Sequence, residues 1–195
     1  MAHYNLRPDG VVIDTVVIHS MYAPPSSVVV PPRACSGDPT SLEACLALLD
    51  QNGVSAHYVI ARDGNITSLV SESFRAWHSR SRDEPRDQMP FSDDSRAGIN
   101  DFSIGIELIT SGEGGDFLEP QYSALTALLS GICSRHPISA IVAHEHIAPG
   151  RKTDPGPQFD WQRIAAAVRE WVSRDPTQSS HTPIRFSWEE RVGKE

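Results

Sequence analysis

Residues 11–20, VVIDTVVIHS, are the stretch on which the fold turns. The run is rich in β-branched side chains and ends in a polar pair, the profile of a buried strand. Beyond it, MYAPPSSVVVPPRACSGDPT (21–40) reads as a long Pro- and Ser-rich loop. SLEACLALLDQ (41–51) opens on a cap, Ser41, and sets Leu42, Cys45, Leu46 and Leu49 at helical spacing, so it is expected to be an amphipathic helix. AHYVIA and NITSLV flank RDG, a hairpin turn signal, and RAWHS (75–79) follows as a short strand or its exit. DFSIGIELI (101–109) and AIVAH (140–144) are two further strands. Tyr122, Leu125, Leu129 and Ile132 mark a second helix, and Trp161, Ile164, Ala165, Val168 and Val172 a third that starts near Asp160. Strands thus alternate with helices around one hairpin. That predicts an α/β fold, a single domain with a central mixed β-sheet flanked by helices. The domain is expected over residues 1–175, with 176–195, containing Pro176 and Pro183, as a C-terminal tail.

The bulk numbers narrow the function classes. A chain of 195 residues suits one domain with a real core. Its 25 acidic and 17 basic residues give a net charge of −8, which argues against a nucleic-acid binder. No apolar run approaches the roughly 18–20 residues of a membrane span. The N-terminus, MAHYNLRPDG, lacks the layout of a secretory signal. A cytoplasmic place is therefore expected, or a periplasmic or exported one if this N-terminus is trimmed. Cys35, Cys45 and Cys133 form no C-x-x-C pair, so reduced, packed thiols are expected rather than disulfides or a thiolate zinc site. Residues 79–100 make a polar stretch without periodicity, and loops of that length are usually functional or mobile.

Chemistry concentrates in HEHIAPGRKTDPGP (144–157), where Pro149, Pro155, Gly156 and Pro157 stiffen a segment dense in ionisable groups. His19 and His144 each close a strand, the place where ligands gather in layered sheets. Asp154 lies ten residues beyond His144 across the stiffened loop. Two imidazoles, one carboxylate and an open position would make a catalytic zinc site. His146 keeps a second set open, because residues two apart in an extended chain face the same side. Glu107 is a carboxylate in an apolar strand, either an edge or salt-bridge residue or a partly desolvated proton carrier. Lys152 is either a solvated loop lysine or, beside a metal, an oxyanion stabiliser.

HEHIAPGRKTDPGPQFDW resembles the signature of the type 2 N-acetylmuramoyl-L-alanine amidases. HYNLRPDG, VVIHS, VSAHYVIARDG, RAWHS and NDFSIGIEL resemble other segments of that family, in the expected order from about Tyr4 to Trp161. The family shares a superfamily with phage amidase-type lysozymes and peptidoglycan recognition proteins, some of which bind without catalysis. The resemblance implies one Zn2+ per chain on His19, His144 and Asp154, leaving His146 out. It implies Glu107 and Lys152 as the catalytic pair, with Trp77 and Arg151 as substrate contacts. His57 and His78 match further recurrent positions, His57 with a structural role. The implied partner is peptidoglycan or its muropeptide fragments, bound by a monomer, for recycling in the cytosol or, alternatively, for cleavage of intact wall. Two arginines that hold substrate in the recycling branch are replaced here by Gly53 and Gly98. Arg96 is the expected substitute for one of them.

Overall fold

The computed structural model describes residues 3–23, 38–79, 86–112, 115–174 and 183–192. Most of the expected 21–40 loop, Cys35 included, and much of the 176–195 segment lie outside these residues. The elements in chain order are β1 (Tyr4–Leu6), β2 (Thr15–Met21), α1 (Leu42–Gln51), β3 (Tyr58–Ile60), β4 (Ile66–Ser68) and β5 (Phe74–Ala76). After a 3-10 turn (Ile99–Asp101) come β6 (Ser103–Ile109), α2 (Glu119–Arg135), β7 (Ala140–Ala143) and α3 (His144–Ile147). α4 (Trp161–Arg174), β8 (Arg185–Phe186) and α5 (Glu189–Val192) complete the chain.

Six strands form one sheet in the order β4-β3-β6-β2-β7-β8. All neighbours are parallel except β3 and β4, the hairpin that RDG closes. The expected mixed α/β sheet is what the chain forms. β1 and β5 make a separate antiparallel ribbon, which periodicity could not announce because each has three residues. The VVIDTVVIHS strand starts late, at Thr15. Ser41 caps α1 as expected, its side chain accepting from the Ala44 N–H at 3.2 Å.

The alternation along β2 and β6 sorts the core onto two faces. Val16, Ile18, Ile104, Ile106 and Leu108 pack against Leu125, Leu129 and Ile132 of α2 and Ile164 and Val168 of α4. On the opposite face Val17 and Val142 pack with Met89, Phe91, Ile99 and Phe102. Further along that face, Met21, Val59 and Ile109 meet Ala44, Cys45 and Leu49 of α1. The second face therefore carries two separate apolar clusters. His19 and Glu107, cross-strand partners in register, lie between them in sequence along β2 and β6.

Within the segment expected as a tail, residues 185–186 form the sixth strand of the sheet, paired in parallel with β7, and Phe186 is buried in the core. A two-residue strand surrounded by prolines and charges has no period to detect. The free thiols Cys45 and Cys133 are both buried. No helix among the described residues is long and apolar enough to cross a membrane.

Candidate metal centre and active site

His19 leaves β2 and Glu107 leaves β6 side by side, and both are buried. His144 does not end β7 as expected. It opens α3, a single helical turn, and is buried there. The helical geometry also removes the basis for grouping His146 with His144, since residues two apart on a helix diverge. Nδ1 of His146 instead contacts the Ser187 hydroxyl at 2.7 Å. The proline-rich loop returns Asp154 to the same point. The Glu145 N–H donates to the Asp154 carbonyl at 2.8 Å, and the Arg151 and Lys152 N–H groups both donate to the Ala148 carbonyl at 3.1 Å.

Three atoms converge. Nδ1 of His19 lies 3.0 Å from Nδ1 of His144 and 3.1 Å from Oδ2 of Asp154, and the last two are 3.0 Å apart. Among the described residues, this is the one group of three or more such side chains placed to hold a metal ion. The outward nitrogens are already engaged. Nε2 of His144 donates to the Ser79 carbonyl at 2.9 Å, and Nε2 of His19 meets Nδ1 of His78 at 3.0 Å. With protons on those outer nitrogens, the inner ones present lone pairs, and a carboxylate oxygen is the third acceptor. Three acceptors in contact repel unless a cation joins them. A tetrahedral zinc about 2.0–2.1 Å from each ligand sets them about 3.3–3.4 Å apart. The triangle needs only a small expansion to admit it.

The electrostatics agree. Burial and the neighbouring His144 lower His19 to about 4, which keeps the imidazole neutral and able to ligate. Burial pushes Glu107 up to about 8, with the charge of Asp154 adding to the rise and Lys152 opposing it. Among the described residues, Oε2 of Glu107 is buried without a hydrogen-bond partner. A desolvated carboxyl with a free oxygen facing a cleft is poised to exchange a proton with whatever occupies it. The cleft, about 490 Å³, is lined by all three triad residues, Glu107 and Lys152.

Five of the sequence-predicted site residues are thus brought together, and three are placed elsewhere. Trp77 lines an adjoining pocket of about 590 Å³ that shares Asn52, Val54 and Ser79 with the metal cleft. Its indole N–H donates to Asn5 Oδ1 at 2.8 Å, and Gly53 and Gly98 line the same pocket. Arg151 pairs with the buried Asp87 and faces a different cavity, beside His146. Arg96 is not among the residues that line either the Trp77 pocket or the metal cleft. It is engaged by Asp94 at 2.7 Å and Asp14 at 2.8 Å and lies 4.1 Å over the Phe102 ring. Asp14 precedes β2, whereas His19 sits near the other end of that strand, so Arg96 is far from the triad. Nδ1 of His57 accepts the Gly105 N–H at 3.0 Å, a role in holding strands together.

Sequence reasoning missed Ser79, Asp87, Asn100 and Ser103, all buried around the triad. Ser79 acts through its carbonyl, which no residue type announces. Gly105 did carry a signal, because a glycine inside an apolar strand often marks a close approach. A Cβ there would lie 2.3 Å from Cγ of His78.

Comparison with known proteins points the same way. The family model Amidase_2, described as N-acetylmuramoyl-L-alanine amidase, matches residues 3–157. The 1,6-anhydro-N-acetylmuramyl-L-alanine amidase AmpD of Citrobacter freundii is 38% identical over 182 residues, spanning 85% of this chain and 86% of its own. The crystal structure of a selenomethionine AmpD derivative superposes with a TM-score of 0.64 at 32% identity, covering 86% of this chain and 91% of that one. The amidase AmiD from E. coli, solved with anhydro-N-acetylmuramic acid-L-Ala-D-gamma-Glu-L-Lys, gives a TM-score of 0.61 at 28% identity over 83% of this chain and 60% of its own.

Proposed function

The chain belongs to the N-acetylmuramoyl-L-alanine amidase family, and from that premise we propose that it is a zinc enzyme cleaving the amide between the lactyl group of N-acetylmuramic acid and L-alanine in muropeptides. The observation that carries the reading is the meeting of three lone-pair donors whose outer nitrogens are already engaged. His19, His144 and Asp154 would hold the zinc ion, which when bound would supply Lewis acidity to the scissile carbonyl and lower the pKa of a water molecule to about 7. Glu107 accepts the proton of the attacking water and returns it to the leaving amine of L-alanine. Its carboxyl is buried and lines the same cleft as the three candidate ligands, within reach of a proton exchanged there. Lys152 places its ammonium on the oxyanion of the tetrahedral intermediate. The alternative of a peptidoglycan-binding module without catalysis is disfavoured, since the chain keeps the full ligand set together with Glu107 and Lys152 in one cleft. Similarity to the 1,6-anhydro enzymes supports a cytoplasmic recycling role.

The neighbouring pocket supports a looser substrate preference than the recycling enzymes have. Gly53 and Gly98 carry φ of +65° and +79°, a backbone in which an arginine would be strained. The two replacements are therefore built into the backbone rather than simple losses of a side chain. Charge-assisted contacts are worth about 1.5–3 kcal/mol each, and specificity is a difference of affinities.

The purified protein is expected to bind about one zinc per chain, to lose activity with chelator and to regain it with zinc. His144→Ala should lose both metal and turnover. Mass spectrometry should find free stem peptides beginning at L-alanine, from anhydromuropeptides and from ordinary muropeptides assayed side by side. Full turnover by metal-free protein would overturn the mechanism. A kcat/KM ratio above about a thousand for the anhydro form would overturn the relaxed preference, since that exceeds what losing two such contacts should leave.

A further inference from the structure

Both metal-facing imidazoles are held from behind by two consecutive residues. His78 takes the outer nitrogen of His19, and the Ser79 carbonyl takes that of His144. The backbone of this pair is fixed in turn by a single side chain. Oδ1 of Asn100 accepts the N–H of His78 at 3.2 Å and of Ser79 at 3.0 Å. Asn100 is itself buried, on the 3-10 turn that leads into β6.

The protons along this line can be followed to its end. The Ser103 hydroxyl donates to the Ile99 carbonyl at 2.6 Å, so its oxygen is left to accept from Nε2 of His78 at 3.1 Å. Nδ1 of His78 is then an acceptor. His19 must donate to it from Nε2, which leaves Nδ1 of His19 as a lone pair aimed at Asp154 and His144. A backbone carbonyl thus sets the tautomer of a metal-facing histidine through two intervening side chains. Gly105 leaves the room that the His78 ring occupies.

We infer that His78 and Asn100 are positioning residues of the metal site, His78 fixing the tautomer of His19 and Asn100 fixing the backbone that orients both imidazoles. The inference rests on the zinc reading of the triad. Partners that orient metal-bound histidines typically contribute 10- to 100-fold to metal affinity.

The test measures zinc affinity by competition with a chromophoric chelator, and reads the His19 tautomer from imidazole 15N shifts in the metal-free protein. His78→Leu removes the acceptor and should weaken zinc binding about 10- to 100-fold while His19 populates both tautomers. His78→Asn keeps an acceptor oxygen at the Nδ1 position and should restore most of the affinity. Asn100→Leu should weaken binding where Asn100→Asp, which still accepts two N–H bonds, does not. Should His78→Leu fail to fold, Ser103→Ala carries the same test, because it frees His78 to change tautomer and should still lower zinc affinity. A folded His78→Leu or Ser103→Ala protein with wild-type zinc affinity and an unchanged His19 tautomer overturns the inference. A wild-type protein that takes up no zinc at all overturns the site itself, and this positioning role with it.

Discussion

Glu72 and Asp154, both partly buried, each stand in a cluster with histidine, and the hydrogens of the two clusters point in opposite directions. Glu72 accepts from the Tyr58 hydroxyl at 2.7 Å, from Arg135 at 2.7 and 3.1 Å, and contacts Nε2 of His136 at 2.8 Å. Although burial raises it, those donors bring its pKa down to about 2. The cluster is electrically complete and ties α2 to the loop before β5. Around Asp154 the same residue types offer lone pairs to one another, and their hydrogens face outward to Ser79 and His78. Donors aimed at an acid close a structural bridge, whereas acceptors aimed at one point leave a place for a cation. Residue composition cannot separate the two. Tautomers, set by neighbours outside each cluster, do so.

The sharpest way to break this distinction is to remove one acid from each region. Glu107→Gln and Lys152→Ala should each retain zinc while kcat falls at least about a hundredfold. Glu72→Gln should leave kcat within about twofold and instead lower stability by on the order of 1 kcal/mol, discounted because the Arg135 partner is half exposed. Steady-state kinetics, metal analysis and thermal unfolding of the three variants decide it. Loss of zinc in step with activity in Glu107→Gln would move that residue from chemistry to ligation. A large drop in kcat for Glu72→Gln would show that the two clusters are not separate.

The two clusters were also unequally legible in the sequence. The candidate metal site could be read because its parts lie in or beside segments with strong local signals, the β2 strand, the residue that follows β7 and a proline-rich loop. Resemblance then chose between His146 and Asp154, which spacing alone left open. The long strands and the three long helices announce themselves by period. β1, β5 and β8 do not, since two or three residues carry no alternation, and β8 exists only because the sheet edge at β7 accepts it. The placement of Arg96 was illegible for a related reason: closeness in sequence to Gly98 says nothing about which end of the sheet the guanidinium reaches, and Asp14 and Asp94 engage it at the start of β2. Asn100 and Ser79 act on groups more than 20 residues away or through a carbonyl, so no local pattern could reveal them.

The smallest expected effect is a difference in sign. In the metal-free protein Glu107, raised to about 8, keeps its proton over the range from about 4.5 to 8 in which the unfolded chain has released it. Its contribution therefore falls as pH rises through that window. Glu72, lowered to about 2, contributes stability that is present above about 4.5 and lost as pH falls toward 2. The buried His19 and His57, each lowered to about 4, cost stability as pH falls from about 6.5 to 4. That background is common to wild type and variants, so differences between them cancel it to first order. Relative to wild type, Glu107→Gln should gain thermal stability between about pH 5 and 8, whereas the deficit of Glu72→Gln should shrink as pH drops toward about 3. Shifts of about 2–4 °C correspond to on the order of 1 kcal/mol in a chain of this size. Metal must be absent, because a cation beside Glu107 favours its ionised form and erases the signal. Difference curves with the same slope for both variants would mean that the two acids sit in equivalent environments, and the contrast between a closed bridge and an open site would fall with them.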